Sequence, residues 1–282
     1  MSGTLYVTGT PIGNLEDLTL RQIRILGEVD FIAAEDTRVT RGLLTHLGLS
    51  TPLVSCHEHS DLRSIEHIAD RIAAGESCAV VTDAGMPCIS DPGEVLVRIC
   101  RERGIKVEAV PGPSAVVTAL SVSGGSTGVF SFYAFLPQEK KPRAAALQAL
   151  SREHRTCVLY EAPHRLCRTI DDLAETLGTE RVCSFCRELT KLHEEVLRMT
   201  LGEAAAYYAE HAPRGEFVLV LDGAPEEQTV LTEEDAVSVA RAYLAQGMST
   251  SAAAKMAAKE TGIAKQVIYK ALSGCSAAGS PR

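Results

Sequence analysis

The sequence predicts an α/β protein: an N-terminal domain on a largely parallel sheet, a second domain on a mixed sheet, and a small helical extension at the end. Three observations carry this. Through about residue 110, short apolar runs alternate with amphipathic helical stretches, the pattern of a parallel α/β layer. Beyond residue 130 the apolar runs come more densely, with helices between only some of them, so a mixed sheet is expected. After Pro225-Glu226-Glu227-Gln228, which reads as a linker, three short helical patterns follow with Gly247 and Gly262 at the breaks.

In chain order, the first strands are expected at 5–8, 29–34, 53–56, 78–82 and 106–110, each a β-branched or aliphatic run. Helices are expected between them at 19–26, 40–47, 61–74 and 94–103. Each is apolar at three- and four-residue spacing, as in Ile65, Ile68, Ala69 and Ile72. Pro111-Gly112-Pro113-Ser114 breaks the alternation, and Ser114 is placed to cap a helix through 117–122. The domain joint is set there, giving domains 1–112, 113–224 and 225–282. Strands at 130–135, 156–161, 182–187, 196–200 and 216–221 follow, with helices at 143–150, 164–177 and 201–211. The extension contributes helices at 233–245, 249–260 and 264–272, and a frayed tail from Ser273.

A length of 282 residues with 45% apolar and 23% charged residues suits two compact soluble domains. No basic, apolar-cored leader and no run of eighteen apolar residues stands out, so a cytoplasmic protein without a membrane span is expected. The nine cysteines are odd in number and scattered through apolar segments, as small core residues would be. Cys183-Ser184-Phe185-Cys186 has C-x-x-C spacing, but on a strand its two thiols point differently, and no metal is expected. The net charge of −8 is uneven: residues 1–136 hold ten Lys and Arg against sixteen Asp and Glu, whereas 137–198 hold eleven against ten. From Gly247 onward Lys255, Lys259, Lys265, Lys270 and Arg282 face only Glu260. A polyanion should meet the second half of the chain.

Three loops carry the chemistry. Thr8-Gly9-Thr10-Pro11-Ile12-Gly13-Asn14-Leu15 joins the first strand to the first helix. Its glycines allow close approach of a ligand, or simply a tight turn; the spacing is neither a dinucleotide fingerprint nor a phosphate loop. The run Val80 to Gly93 takes an apolar strand into a long loop with two prolines, two glycines and two aspartates, where open α/β sheets bind ligands. Its backbone can read an adenine edge, with Asp83 and Ser90 as polar anchors; an inert loop is the alternative. Pro111-Gly112-Pro113-Ser114-Ala115 leaves the fifth strand at the same sheet edge.

Together these loops resemble the tetrapyrrole methylase superfamily, and within it the ribosomal RNA small subunit methyltransferase I family. The resemblance covers residues 3–223. It is carried by Tyr6 to Leu15, Ala34-Glu35-Asp36-Thr37-Arg38, Ser90-Asp91-Pro92-Gly93, Phe135-Leu136-Pro137, Tyr160-Glu161-Ala162-Pro163-His164-Arg165 and Arg187-Glu188-Leu189-Thr190-Lys191. Met86-Pro87-Cys88 departs from the expected Thr-Pro-Leu-like run and touches only pocket detail. The resemblance implies S-adenosylmethionine as cofactor in a cleft between two α/β domains. It implies contacts from Pro11, Asp83, Gly85, Met86, Ile89, Ser90, Ser114 and Ala115, with Tyr160 from the second domain. It further implies 2′-O-methylation of a cytidine in the decoding region of 16S rRNA, with rRNA or the 30S subunit as partner, a homodimer, and no required metal.

Methyl transfer to a ribose hydroxyl needs in-line placement and a base. Glu188 and Lys191 are the first candidates, Lys191 only if burial lowers its pKa; a surface salt bridge is the alternative. Glu35 and Asn14 are further candidates for orienting the acceptor, though Asp36 or Thr37 can equally cap a helix and Asn14 a turn. Arg38, Lys140, Lys141, Arg143, Arg165 and Arg187, with Arg152, Arg155 and Arg168, supply cations for RNA phosphates, or a solvated charged face. The terminal helices resemble a helix-turn-helix element that binds RNA or packs on the body. A tetrapyrrole or diphthine-type protein acceptor is the nearest rival reading; a noncatalytic nucleic-acid-binding regulator is the rival of another class.

Overall fold

The computed structural model describes residues 2–225 and 232–274. Most of the linker reading, the tail beyond Gly274 and Arg282 with it fall outside the described residues. The chain divides into two compact units, Met1–Ala224 and Pro225–Arg282. No helix among the described residues is long and apolar enough to cross a membrane.

The first unit opens with β1 (Thr4–Thr8), α1 (Leu20–Glu28), β2 (Phe31–Ala34), α2 (Thr37–His46), β3 (Leu53–Ser55), α3 (Leu62–Ala73), β4 (Cys78–Val81), α4 (Glu94–Glu102) and β5 (Lys106–Val110). The five strands form one sheet in the order β3-β2-β4-β1-β5, every pairing parallel. All residues of β2 and β4 are buried, because helices cover both faces; hence their continuous apolar runs, Phe-Ile-Ala-Ala and Cys-Ala-Val-Val. Fully burying Phe31, Leu5 or Ile32 contributes about 1.5–3 kcal/mol each.

Helix starts follow their caps rather than the apolar period. The helix expected at 40–47 begins at Thr37, because the Asp36 side chain accepts a hydrogen bond from the Arg38 amide. Thr19 and Gln22 close a capping box ahead of α1. Ser114 stands at the N-cap of α5 (Ala115–Val122) but its side chain makes no capping bond, contrary to the expected role.

The second sheet comprises β6 (Phe130–Phe135), β7 (Thr156–Glu161), β8 (Val182–Arg187), β9 (Glu195–Thr200) and β10 (Phe217–Leu221). Helices α6 (Lys140–Arg152), α7 (Pro163–Leu177) and α8 (Leu201–Glu210) intervene. Its order is β6-β7-β10-β8-β9; β6 and β7 are parallel and the other pairs antiparallel, the mixed sheet expected. One face packs on α6, α7 and α8 through Leu150, Leu166, Ile170 and Phe185. The other packs on α5 and on Ile12 through Val158, Val218 and Val220. Cys183 belongs to the first of these cores and Cys186 to the second, so the C-x-x-C thiols lie on opposite faces and cannot share a metal.

The second unit, taken by itself, is α9 (Glu233–Ala245), α10 (Thr250–Thr261) and α11 (Lys265–Gly274) around Ala236, Ala240, Ala254, Ala257, Ile268 and Leu272. Gly262 ends α10 in the left-handed conformation. Lys255, Lys259, Lys265 and Lys270 are exposed.

Candidate functional site

Because β4, β1 and β5 are adjacent, the loops leaving their C-terminal ends meet at one edge. The first two are tied by a backbone bridge, Thr10 N to Gly85 O at 2.9 Å and Gly85 N to Thr10 O at 3.2 Å. The β1 and β5 loops touch through Gly9 and Gly112: a Cβ on Gly9 would lie 2.8 Å from Gly112 Cα, so only glycine allows the approach. Gln22, fully buried, fastens the same point by donating to Gly9 O at 2.7 Å.

Above this edge a cleft of about 490 Å³ separates the two sheets. Its first wall holds Ile12, Glu35, Asp83, Asp91 and Ala115; its second holds Phe135, Tyr160, Glu161, Leu189 and Glu216. Tyr160 packs its ring 5.1 Å from Phe132 and 5.5 Å from Phe135, an aromatic back wall. A bulge in β6 between Phe132 and Ala134 precedes the Phe135 that joins this wall. Of the five non-glycine residues with positive φ among the described residues, four lie on loops at the cleft: Cys88, Ser90, Glu188 and Thr190.

Residues 4–205 match the family model of the Tetrapyrrole (Corrin/Porphyrin) Methylases. The chain belongs to this family. Among curated relatives, this tetrapyrrole methylase is 45% identical over 269 residues to the ribosomal RNA small subunit methyltransferase I of Synechocystis sp., covering 95% of this chain and 96% of that one. It is 40% identical over 270 residues to the protein of that name in Escherichia coli O157:H7, covering 95% and 94%. Uroporphyrin-III C-methyl transferase from Thermus thermophilus, solved as a complex with S-adenyl homocysteine, shares the fold with TM-score 0.55 at 19% identity, over 78% of this chain and 97% of that one. Diphthine synthase shares it with TM-score 0.59 at 12% identity, over 78% and 90%.

The methylase cleft is anionic at its first-sheet end. Glu35 Oε2 accepts from Thr82 Oγ1 at 2.5 Å and from Asp83 N at 3.2 Å. Burial, reinforced by Glu35, raises the Asp91 carboxyl to about 6 and also lifts Asp83 above its ordinary value. Two raised carboxyls beside Glu35 thus make a partly desolvated acidic corner that favours a cationic ligand. Burial, with Asp91 beside it, pushes the Tyr160 phenol up to about 12, so it remains a hydrogen-bond donor.

Bonded to the cleft-lining Glu216 is the Glu188–Lys191 pair. Lys191 Nζ lies 2.8 Å from Glu188 Oε1 and 2.8 Å from Glu216 Oε2, while Glu188 Oε1 also accepts from Glu216 N at 2.9 Å. Among the described residues Glu188 Oε2 accepts no hydrogen bond, and it is the free acceptor of the pair. Burial pushes the Glu188 carboxyl up, but the bonds from Lys191 and Glu216 N outweigh it and hold it below its ordinary value. Burial likewise pushes Lys191 down, yet its two carboxylate bonds leave it raised. The condition for Lys191 to act as a base, a depressed pKa, is therefore not met.

Among the cofactor candidates, Asp83, Ser90, Ala115 and Tyr160 line the cleft, as does Glu35. Pro11 lines a neighbouring hollow instead. Gly85 is buried in the bridge to Thr10, Met86 is wedged with its sulfur 2.9 Å from where a Gly9 Cβ would be, and Ile89 is 53% exposed. Asn14 serves as a cap, accepting from Glu16 N at 3.0 Å. Of the expected RNA cations, Lys140, Lys141 and Arg38 are exposed. Arg143 is not: it is 6% exposed and bonds Asp172 at 2.6 Å, Thr169 Oγ1 at 2.9 Å and Pro137 O at 3.3 Å, which makes it a structural cation. Arg165 lies 2.8 Å from the buried Glu161, and Arg187 is paired with Glu195 at 3.1 Å. Asp91, Phe135, Leu189 and Glu216 were not among the candidates. Asp91, Phe135 and Leu189 stood inside motifs already quoted, Ser90-Asp91-Pro92-Gly93, Phe135-Leu136-Pro137 and Arg187 to Lys191, whereas Glu216 carried only the neighbouring Gly215 as a signal.

Proposed function

We infer that this methylase binds S-adenosylmethionine in the cleft and methylates the ribose 2′-oxygen of a cytidine in the decoding region of 16S rRNA. The observation that supports this most is the cleft itself, an aromatic wall facing a three-carboxyl corner, set where three adjacent strands end. That donor set fits the cofactor: Phe135 and Tyr160 offer a face for adenine, the exposed Ala84 offers backbone bonds to its edge, and Glu35, Asp83 and Asp91 favour a sulfonium cation. When bound, the cofactor supplies an electrophilic methyl group.

The chain's own residues supply the remainder. The ionised Glu188, with Oε2 open, accepts the proton of the ribose hydroxyl. Lys191 keeps that carboxylate in place and stays protonated. Lys140, Lys141, Arg38 and Arg187 meet phosphates that position the RNA, and the lysines of α10 and α11 add a second contact. A second copy of the chain is the other partner, supported by the exposed Val117, Val129 and Phe130. The substrate places the protein in the cytoplasm.

The test offers the protein labelled S-adenosylmethionine with purified 30S subunits, naked 16S rRNA, a tetrapyrrole mixture and a protein extract. Label in RNA is the expected result. Label in a tetrapyrrole or a protein, with none in RNA, would overturn the acceptor assignment.

A further inference from the structure

Two smaller hollows adjoin the cleft along the same sheet edge. One, of about 280 Å³, lies between the Thr10–Leu15 loop and α2 and shares Thr82 and Asp83 with the cleft. The other, of about 330 Å³, lies between the Cys56–Glu58 loop and the start of α4 and shares Ser90 and Asp91. Group transfer brings the acceptor atom to about 3–3.5 Å from the reacting carbon. The acceptor's chamber must therefore share a wall with the cleft, and only these two hollows among those described do so.

Resting on the reading above, we propose that the hollow between the Thr10–Leu15 loop and α2 is the acceptor subsite and takes one unstacked nucleotide. Three observations select it. First, it is flanked by the Glu188–Lys191 pair: Gly13 lines the hollow, and the Lys191 stem runs so closely over Gly13 that a Cβ there would lie 2.3 Å from Lys191 Cγ.

Second, the charges discriminate. The rival hollow is lined by Glu58, Asp91 and Glu94, which repel a phosphodiester. The proposed one has Asp83 as the only acid in its lining, with Arg38 adjacent in the chain to the lining Val39 and the Lys191 stem against the lining Gly13. The Arg38 side chain is 89% exposed; Asp36 holds its Nε and Nη2, which leaves the Nη1 edge to present to a phosphate.

Third, Leu15 and Val39 line this hollow with 44% and 48% of their surface exposed, large apolar side chains left partly uncovered. Set across from one another on the loop and on α2, they can take the two faces of a base drawn out of its stack, as enzymes acting on a single nucleotide require. The volume admits a nucleoside and excludes a four-ring macrocycle.

The test uses Gly42, which lines the hollow from α2 and has nothing within 4 Å of where a Cβ would be. Gly42→Phe fills the hollow without a backbone clash and removes a glycine from a helix interior. His46→Trp, one turn on along the same wall, is the second variant, and Glu58→Phe in the rival hollow is the control. Binding of purified, unmodified 30S subunits is measured without cofactor, S-adenosylmethionine binding by calorimetry, and methyl transfer at varied subunit concentration. Both α2 variants should weaken subunit binding and raise KM tenfold or more, with cofactor affinity unchanged and Glu58→Phe behaving as wild type. Wild-type behaviour of both α2 variants, or impairment confined to Glu58→Phe, overturns the subsite. If wild type binds subunits but does not methylate them, the enzymatic reading fails while the binding comparison still decides the subsite. Absence of subunit binding by wild type overturns both.

Discussion

Replacing Gly13 by alanine separates the position of Lys191 from its charge. The new Cβ would lie 2.3 Å from Lys191 Cγ and 2.8 Å from Cε, whereas ordinary contact begins at 3.4 Å. The stem must retreat by about 1 Å, and because Cγ lies near the backbone the whole side chain goes with it. Nζ then leaves Glu188 Oε1 and Glu216 Oε2, each 2.8 Å away at present. A displacement of about 1 Å in a positioning group costs on the order of 10²-fold in rate, or about 2.7 kcal/mol of transition-state stabilisation. Folding should lose about 1–3 kcal/mol, because Gly13 holds a φ of +157° that a residue with a Cβ rarely adopts, so the rates are compared well below the variant's Tm. Single-turnover methyl transfer at saturating 30S subunits and cofactor reads the loss directly. Gly13→Ala/Lys191→Ala should be no slower than Lys191→Ala alone, since both act through one group. A Gly13→Ala enzyme within twofold of wild type, or losses that multiply in the double variant, would refute the reasoning.

The same pair fixes a pH dependence. The bond and charge from Lys191 help hold Glu188 below its ordinary value, so Lys191→Ala should move the acid limb of the rate profile to higher pH; an unmoved limb would separate Glu188 from the rate. Asp91 behaves oppositely. Its folded pKa of about 6 exceeds the ordinary 3.8, so its contribution to stability is complete below 3.8 and is lost as pH rises through about 6. Asp91→Asn should therefore raise Tm at pH 7.5 by about 2–4 °C, an effect of about 1 kcal/mol after allowing for solvent exposure, and should lose that advantage near pH 4. It should also weaken binding of S-adenosylmethionine more than that of the demethylated product, whose sulfur is uncharged, measured by calorimetry. Arg143→Ala should cost about 3 kcal/mol in denaturant unfolding by leaving Asp172 only the 3.8 Å contact with Arg168, with no change in the salt dependence of RNA binding. Lys140→Ala/Lys141→Ala should do the reverse, lowering that slope and sparing stability.

The two sheets were legible because their strands are apolar runs of the right length and their helices keep the 3.6 period. Helix starts were less so: Thr37 begins α2 through a cap bond from Asp36 that periodicity does not encode. The site was legible as loops, since Gly9, Asp83, Ser90 and Ala115 stand at strand ends whose adjacency in the sheet brings them together. What no single segment reveals is a partnership across the fold. Arg143 is a basic residue among basic residues until Asp172 and Thr169 enclose it. Lys191 looks like a buried base until Glu216 adds a second carboxylate, and Leu189 and Glu216 join the cleft wall only because β8 and β10 pair.

The most direct test of the central claim is nucleoside mass spectrometry on 16S rRNA recovered from unmodified 30S subunits after incubation with the protein and S-adenosylmethionine. The account predicts one 2′-O-methylated cytidine in the decoding region, formed by wild type and lost with Glu188→Ala. A methyl group found on a base, or no methylated nucleoside from an enzyme that binds the cofactor, would contradict it.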